Sequence, residues 1–194
     1  MKLLFLRPYL NGEGYEAPLG LLYLASYIRK HLHDVTVEVL DLDILKIKKQ
    51  KAAEAIRKAQ PDVVCISAFS YNRFDGFELA RLSKEAGAYV IFGGQHTTYI
   101  DEPTLRHFPN IDLIIRGEAE ITLAEVIRRL QQHKKITDDI DGISYLSKGK
   151  FIRTKDREFL DVQTLPWPAY DLVPMTQYKY YGVIGGRGCP YNCN

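Results

Sequence analysis

Five short apolar runs alternate with stretches of helical periodicity over residues 1–136, and this alternation constrains the fold more than any other feature. The runs cover residues 3–6, 35–40, 63–68, 89–92 and 112–115. A run such as Leu3-Leu4-Phe5-Leu6 lacks polar alternation, as expected of a strand covered on both faces in a parallel sheet. Between the runs, Leu21, Leu24, Ala25, Ile28 and Leu32 repeat at helical spacing, as do Ala52, Ala55, Ile56 and Ala59. The same holds for Leu79, Leu82 and Ala86, and for Leu123, Val126, Ile127 and Leu130. Pro18 suits the first turn of a helix and Gly87 a helix end. Thr122-x-x-Glu125 has the spacing of a capping box, residues 101–106 can form a short helix, and the charged run 46–51 reads as a solvated helix face. Strands alternating with helices predict a doubly wound parallel α/β sheet. Right-handed crossovers limit the strand orders, and five strands favour the flavodoxin-like order 2-1-3-4-5.

Beyond residue 136 the pattern changes. Residues 142–146 and 151–154, joined around Lys148-Gly149-Lys150, read as a β-hairpin. Leu165-Pro166-Trp167-Pro168 and Pro174 then form a stiff, extended linker. Val183-Ile184 reads as the first strand of a further domain. The expected organisation is therefore a ligand-binding domain over 1–136, a hairpin and linker over 137–180, and the start of another domain over 181–194. The tail beyond about residue 170 is expected to be poorly anchored.

Composition excludes several function classes. The chain has 26 basic and 24 acidic residues, a net charge of +2, so it lacks the electrostatic footprint of a nucleic-acid binder. No apolar run approaches the roughly 18 residues of a membrane span, and the apolar N-terminus is too short for a signal peptide and reads as a strand. Three cysteines, Cys65 in a strand and Cys189 and Cys193 near the end, form no disulfide framework. A reducing cytoplasm suits them, and Cys65 reads as an inert core thiol.

Ligands of open α/β sheets bind beyond the carboxyl ends of the strands. Four loops lie there, at residues 7–16, 67–73, 93–99 and 116–120. The first brings Pro8 and Tyr9, and the second Ser67, Ser70 and Tyr71. The third brings Gly93, Gly94, Gln95, His96 and Thr97, and the fourth Gly117 and Glu118. Gly93 and Gly94 have no side chain to block a ligand; Ser67, Ser70 and Thr97 can donate or accept hydrogen bonds. Each has a plain structural alternative: Gly93-Gly94 and Gly117 suit tight turns, Ser67 a neighbouring carbonyl, and Glu118 and Glu120 the start of a helix.

The end of the chain carries a second signal. Gly185-Gly186-Arg187-Gly188-Cys189-Pro190-Tyr191-Asn192-Cys193 resembles the start of the radical S-adenosylmethionine motif Cys-x-x-x-Cys-x-x-Cys. Upstream, residues 18–25, Pro-Leu-Gly-Leu-Leu-Tyr-Leu-Ala, are similar to the P-L-G-L-x-Y-L-A segment of cobalamin-binding radical S-adenosylmethionine enzymes. Gly93-Gly94-Gln95-His96-Thr97-Thr98 resembles G-G-x-H-x-T, and Gly117-Glu118-Ala119-Glu120-Ile121-Thr122 resembles G-E-x-E-x-T, with Ala119 where glycine is more usual. Leu165-Pro166-Trp167-Pro168 resembles the L-P-x-P linker, and the segments fall in the family's order across essentially the whole chain.

That resemblance implies cobalamin held over the carboxyl edge of the sheet, facing a barrel that carries a [4Fe-4S] cluster, S-adenosylmethionine and a small-molecule or cofactor-precursor substrate. Cys189 and Cys193 become two of three cluster ligands, with a third cysteine expected at position 196, so that the 194 residues alone are expected to be catalytically silent. It implies a methyltransferase or a relative of the anaerobic magnesium-protoporphyrin monomethyl ester cyclase; a nucleotide-binding or structural module of flavodoxin-like fold is the alternative. None of His31, His33, His96, His107 and His133 sits in Asp-x-His-x-x-Gly, so cobalamin is expected without a histidine on cobalt. A bulky residue at Gly94, such as Val, is expected to obstruct the ligand and leave the fold intact.

Overall fold

A computed structural model describes residues 1–10 and 16–188. Five parallel strands are present: β1 (Lys2–Arg7), β2 (Thr36–Asp41), β3 (Val63–Ser67), β4 (Tyr89–Gly93) and β5 (Leu113–Ile115). They pair in the order 2-1-3-4-5. Two further strands, β6 (Ile143–Ser147) and β7 (Lys150–Arg153), form the expected hairpin. It does not merely follow the sheet: β6 pairs antiparallel with β5, so that seven strands make one continuous sheet.

Strand alternation splits the apolar residues into two cores. Leu3 and Phe5 point to one face and Leu4 and Leu6 to the other, and all four are fully buried. The first face is covered by α1 (Leu19–His31) and α6 (Glu120–Gln131). In α1, Leu21, Leu22, Ala25 and Ile28 make the buried stripe, and burying each of the leucine or isoleucine side chains stabilises by about 1.5–3 kcal/mol. The second face is covered by α2 (Ala52–Ala59) and α3 (Arg73–Glu85) through Ile56, Phe77, Leu79 and Ala80. Two short helices, α4 (Gln95–Tyr99) and α5 (Asp101–His107), follow β4. Only α5 was legible as a helix, because α4 has no apolar period.

Several expectations are corrected. The Thr122-x-x-Glu125 spacing is not a capping box: α6 starts two residues earlier and no side chain caps it. Thr122 Oγ1 instead donates to the Asp141 carbonyl at 3.0 Å and accepts from Arg157 Nε at 2.7 Å, while Glu125 pairs with Arg157. Both side chains thus hold the hairpin against α6. The charged run is not a helix face over its length; a single 3-10 turn, Lys49–Lys51, leads into α2.

Over its described residues the tail is also anchored, contrary to expectation. Ser26 Oγ donates to the Trp167 carbonyl at 2.5 Å and the Ala169 N–H to the Leu22 carbonyl at 3.1 Å, so the proline-rich stretch lies along α1. Tyr178 is buried and donates to the buried Asp41 carboxylate at 2.9 Å, which Arg7 also contacts at 2.9 Å. These buried polar groups need partners, and the tail supplies one. Residues 183–184 form no strand; the Ile184 N–H donates to the Tyr23 hydroxyl at 3.1 Å. No helix among the described residues is long and apolar enough to cross a membrane.

Candidate functional site

A cavity of about 240 Å³ opens at the carboxyl ends of β3, β4 and β5, on the face covered by α1 and α6. Its floor is apolar: Ile91 and Cys65 from the sheet, Leu21 and Leu24 from α1, and Leu123 from α6. Its rim is polar, with Ser67, Glu118, Glu120 and Arg187. Burial pushes the Cys65 thiol far above its ordinary range, which keeps it protonated and inert.

Five of the sequence-predicted residues meet at this cavity: Ser67, Gly93, Gly94, Gly117 and Glu118. The strand ends bring them together, since Ser67 and Gly93 are register partners in adjacent strands. Thr98 joins two of the loops: its hydroxyl donates to the Gly94 carbonyl at 3.0 Å and accepts from the Gly117 N–H at 3.2 Å.

The remaining predicted residues lie elsewhere. Pro8 and Tyr9 are buried, and the Tyr9 hydroxyl donates to the Ile47 carbonyl at 2.9 Å. Burial, with Asp43 and Asp75 nearby, pushes its phenol up to about 12. Tyr71 and Gln95 are exposed, and Tyr71 stacks on Phe69 with ring centroids 5.5 Å apart. Ser70 Oγ lies 3.1 Å from His96 Nδ1. Burial and then the nearby Arg73 charge hold His96 below its ordinary pKa, favouring the neutral ring. Thr97 is fully buried, and its Oγ1 is the one buried side-chain oxygen or nitrogen without a partner among the described residues. Cys189 and Cys193 lie outside the described residues. No group of three or more acidic, histidine or cysteine side chains suited to a metal occurs among the described residues.

Two glycines of the cavity differ in their reasons. Gly94 has φ of 94°, and an added Cβ would stand 2.5 Å from the Ala68 carbonyl oxygen. The obstruction expected there is therefore to the chain itself, so the expectation that Gly94→Val leaves the fold intact is corrected. Gly20, in the first turn of α1, needs no special backbone, and an added Cβ would meet no atom within 4 Å. A helical glycine destabilises by about 0.5–1 kcal/mol relative to alanine, and packing of the chain does not require one here. Sequence reading missed Gly20, Leu21 and Leu24 as cavity residues, although Gly20 interrupts an otherwise apolar helix start. It also missed Glu120 and Arg187. The Glu120 carboxylate is buried, and Arg187 donates to it at 2.6 Å, while Glu118 stands 3.4 Å from the same guanidinium.

The arrangement fits part of a large, flat, mainly apolar group carrying polar edges. The walls are aliphatic, Gly20 and Gly117 leave open space, and the polar atoms sit at the rim. At about 240 Å³ the cavity is far too small for a whole corrinoid and has room only for a part of such a group.

Comparison with known proteins accords with this. The chain is 37% identical over 184 residues to an uncharacterized methyltransferase of Pyrococcus horikoshii, covering 91% of this chain and 39% of that protein. It is 29% identical over 190 residues to the anaerobic magnesium-protoporphyrin IX monomethyl ester cyclase of Synechocystis, covering 91% of this chain and 37% of that protein. The chain thus spans less than half the length of these curated relatives. Among solved structures, apo OxsB, a cobalamin-dependent S-adenosylmethionine radical enzyme, matches with a TM-score of 0.76 at 20% identity, over 98% of this chain and 27% of that one. The radical S-adenosylmethionine methyltransferase TsrM of Kitasatospora setae matches with a TM-score of 0.66 at 19% identity, over 79% of this chain and 30% of that one. At these identities the likeness is one of fold. Residues 10–127, which contain the strand ends at the cavity, all of α1 and the first two turns of α6, match the family of the B12 binding domain, and the chain belongs to that family.

Proposed function

We propose that this chain binds cobalamin at the carboxyl edge of its sheet and serves as the cofactor domain of a radical S-adenosylmethionine methyltransferase. The observation that carries the reading is the coincidence of the B12-binding match over residues 10–127 with an apolar cavity at the sheet edge, walled in part by the helical Gly20. When bound, the corrinoid supplies a cobalt that can carry a transferable methyl group. The chain's own residues bind and orient it: Leu21, Leu24, Ile91 and Leu123 exclude water from the buried part, and Ser67 offers a hydroxyl at the rim. The hydrogen bond from Thr98 to Gly94, and that from Gly117 to Thr98, keep two rim loops in register. His96, 3.1 Å at Nδ1 from Ser70 Oγ, would position the loop after β4, and the corrinoid would be held without a histidine on cobalt.

In the whole protein, Cys189 and Cys193, with a cysteine expected at position 196, would hold a [4Fe-4S] cluster that serves S-adenosylmethionine chemistry, on a barrel that would also bind the small-molecule or cofactor-precursor substrate. Methyl transfer is preferred over ring formation because the methyltransferase relative is 37% identical, against 29% for the cyclase. The cyclase-like reaction is the second reading, supported by the 29% identity to the cyclase over 190 residues.

The test is titration of hydroxocobalamin into the wild type, Gly20→Phe and His96→Ala, followed by absorption, with circular dichroism as the folding control. Saturable binding is expected in the wild type and weaker binding in folded Gly20→Phe. The bound spectrum should be unchanged in His96→Ala. A wild-type chain that leaves the corrinoid spectrum and its partition on gel filtration unaltered refutes the reading.

A further inference from the structure

Arg187 belongs to two parts of the molecule at once. Its guanidinium forms part of the cavity rim, while its backbone lies two residues before Cys189 in the sequence. One guanidinium bridges two carboxylates, Glu120 at 2.6 Å and Glu118 at 3.4 Å, and stands 5.9 Å from the centre of the Tyr23 ring. Glu120 is a buried carboxylate, which is costly without a cationic partner. Arg187 is its hydrogen-bonding partner among the described residues.

The backbone around Arg187 is held by few other bonds. Gly182 exchanges hydrogen bonds with the Tyr170 hydroxyl at 2.5 and 3.0 Å, and Ile184 donates to Tyr23 at 3.1 Å. The side chains of residues 180, 181 and 183 are largely exposed. Among the described residues, the polar contacts of residues 185–188 are those of the Arg187 side chain, with Glu118, Glu120 and the Tyr23 ring. Glu118 comes from the loop that also places Gly117 at the cavity, and Glu120 is the first residue of α6.

We propose that Arg187 is a positioning residue: clasped by Glu118 and Glu120, it fixes the segment leading into Cys189 on the rim of the cavity. A ligand filling the cavity then touches the wall that holds this segment, so occupancy of the one and placement of the other are linked. The identity of the ligand rests on the cobalamin reading; the clasp does not. A bidentate bridge to two carboxylates suits a guanidinium, and a lysine ammonium reproduces it only in part.

Hydrogen exchange by mass spectrometry tests this on the 194-residue chain as wild type, Arg187→Gln and Arg187→Lys, with and without hydroxocobalamin. Without cofactor, amides of residues 182–188 should exchange about tenfold faster in Arg187→Gln, with Arg187→Lys between the two, because local opening sets the rate. Amides of α3 serve as the folding control and should not change. With hydroxocobalamin, the wild-type segment should slow further and Arg187→Gln should not, and linkage requires Arg187→Gln to bind the corrinoid about fivefold more weakly. Wild-type exchange of residues 182–188 in cofactor-free Arg187→Gln overturns the proposal, as does equal slowing by hydroxocobalamin in both. A wild type that binds no corrinoid yet shows the Arg187-dependent protection supports the clasp and refutes the cobalamin reading.

Discussion

At Gly94 the left-handed backbone and the 2.5 Å approach to Ala68 leave no room for a side chain. Gly94→Val should therefore lose at least roughly 1–3 kcal/mol, the cost of strain at such a position, and urea denaturation will read it as a lower midpoint. Gly20→Ala is expected to do the opposite and stabilise by about 0.5–1 kcal/mol, because nothing near Gly20 requires glycine. The same measurement in the two variants separates a glycine that the packed chain requires from one that it does not. His96 offers a further residue-scale prediction. Burial, then Arg73, lowers its folded pKa, so the unfolded chain binds more protons between that value and the ordinary 6.5. Its contribution to stability is present above pH 6.5 and is lost as pH falls through the folded value. Denaturation midpoints of wild type and His96→Asn should diverge below pH 6.5, the wild type losing more stability. Parallel curves would contradict this.

At the scale of elements, the hairpin is joined to the sheet by charge as well as by its ladder. Arg116, buried at the end of β5, donates to the Thr154 carbonyl at 2.7 Å, to Ser144 Oγ at 2.6 Å and to the Ile143 carbonyl. It also pairs with Asp156 at 2.7 Å and stands 3.9 Å from buried Asp101, which Arg153 contacts at 2.9 Å. Arg116→Met removes a buried cation and leaves these acceptors short of donors, so about 3–5 kcal/mol of stability should be lost in denaturant unfolding. Tyr178→Phe, which unties the tail from Asp41, should cost about 1–3 kcal/mol, the penalty of a buried acceptor losing a donor. Limited proteolysis beyond residue 170 should also quicken in this variant. An unchanged cleavage rate would mean that the contacts along α1 suffice to hold the tail.

For the whole molecule, a ligand that binds only the folded state must stabilise it. Hydroxocobalamin at 100 times its dissociation constant should add about 2.7 kcal/mol, read as a rise in melting temperature that grows with cofactor concentration. Gly20→Phe should melt no lower than the wild type without cofactor and show a smaller rise with it. A concentration-independent melting temperature would place the corrinoid outside the folded domain.

The apolar runs and helical repeats carried the parallel sheet, its order 2-1-3-4-5 and the hairpin, because burial on two faces writes itself into local periodicity. The loops that end β3, β4 and β5 were legible for the same reason, since a parallel sheet places its strand ends on one edge. What local pattern does not encode is which distant groups meet there. Glu120 and Arg187 are 67 residues apart, Tyr178 and Asp41 137 apart, and nothing in either neighbourhood announces the partner. The tail looked loose because its residues are polar, aromatic and proline-rich, and only the tertiary structure supplied the buried carboxylates that it satisfies. Gly20 and Gly94 look alike as sequence, and only the packed chain separates a glycine that faces a cavity from one pressed against a backbone carbonyl.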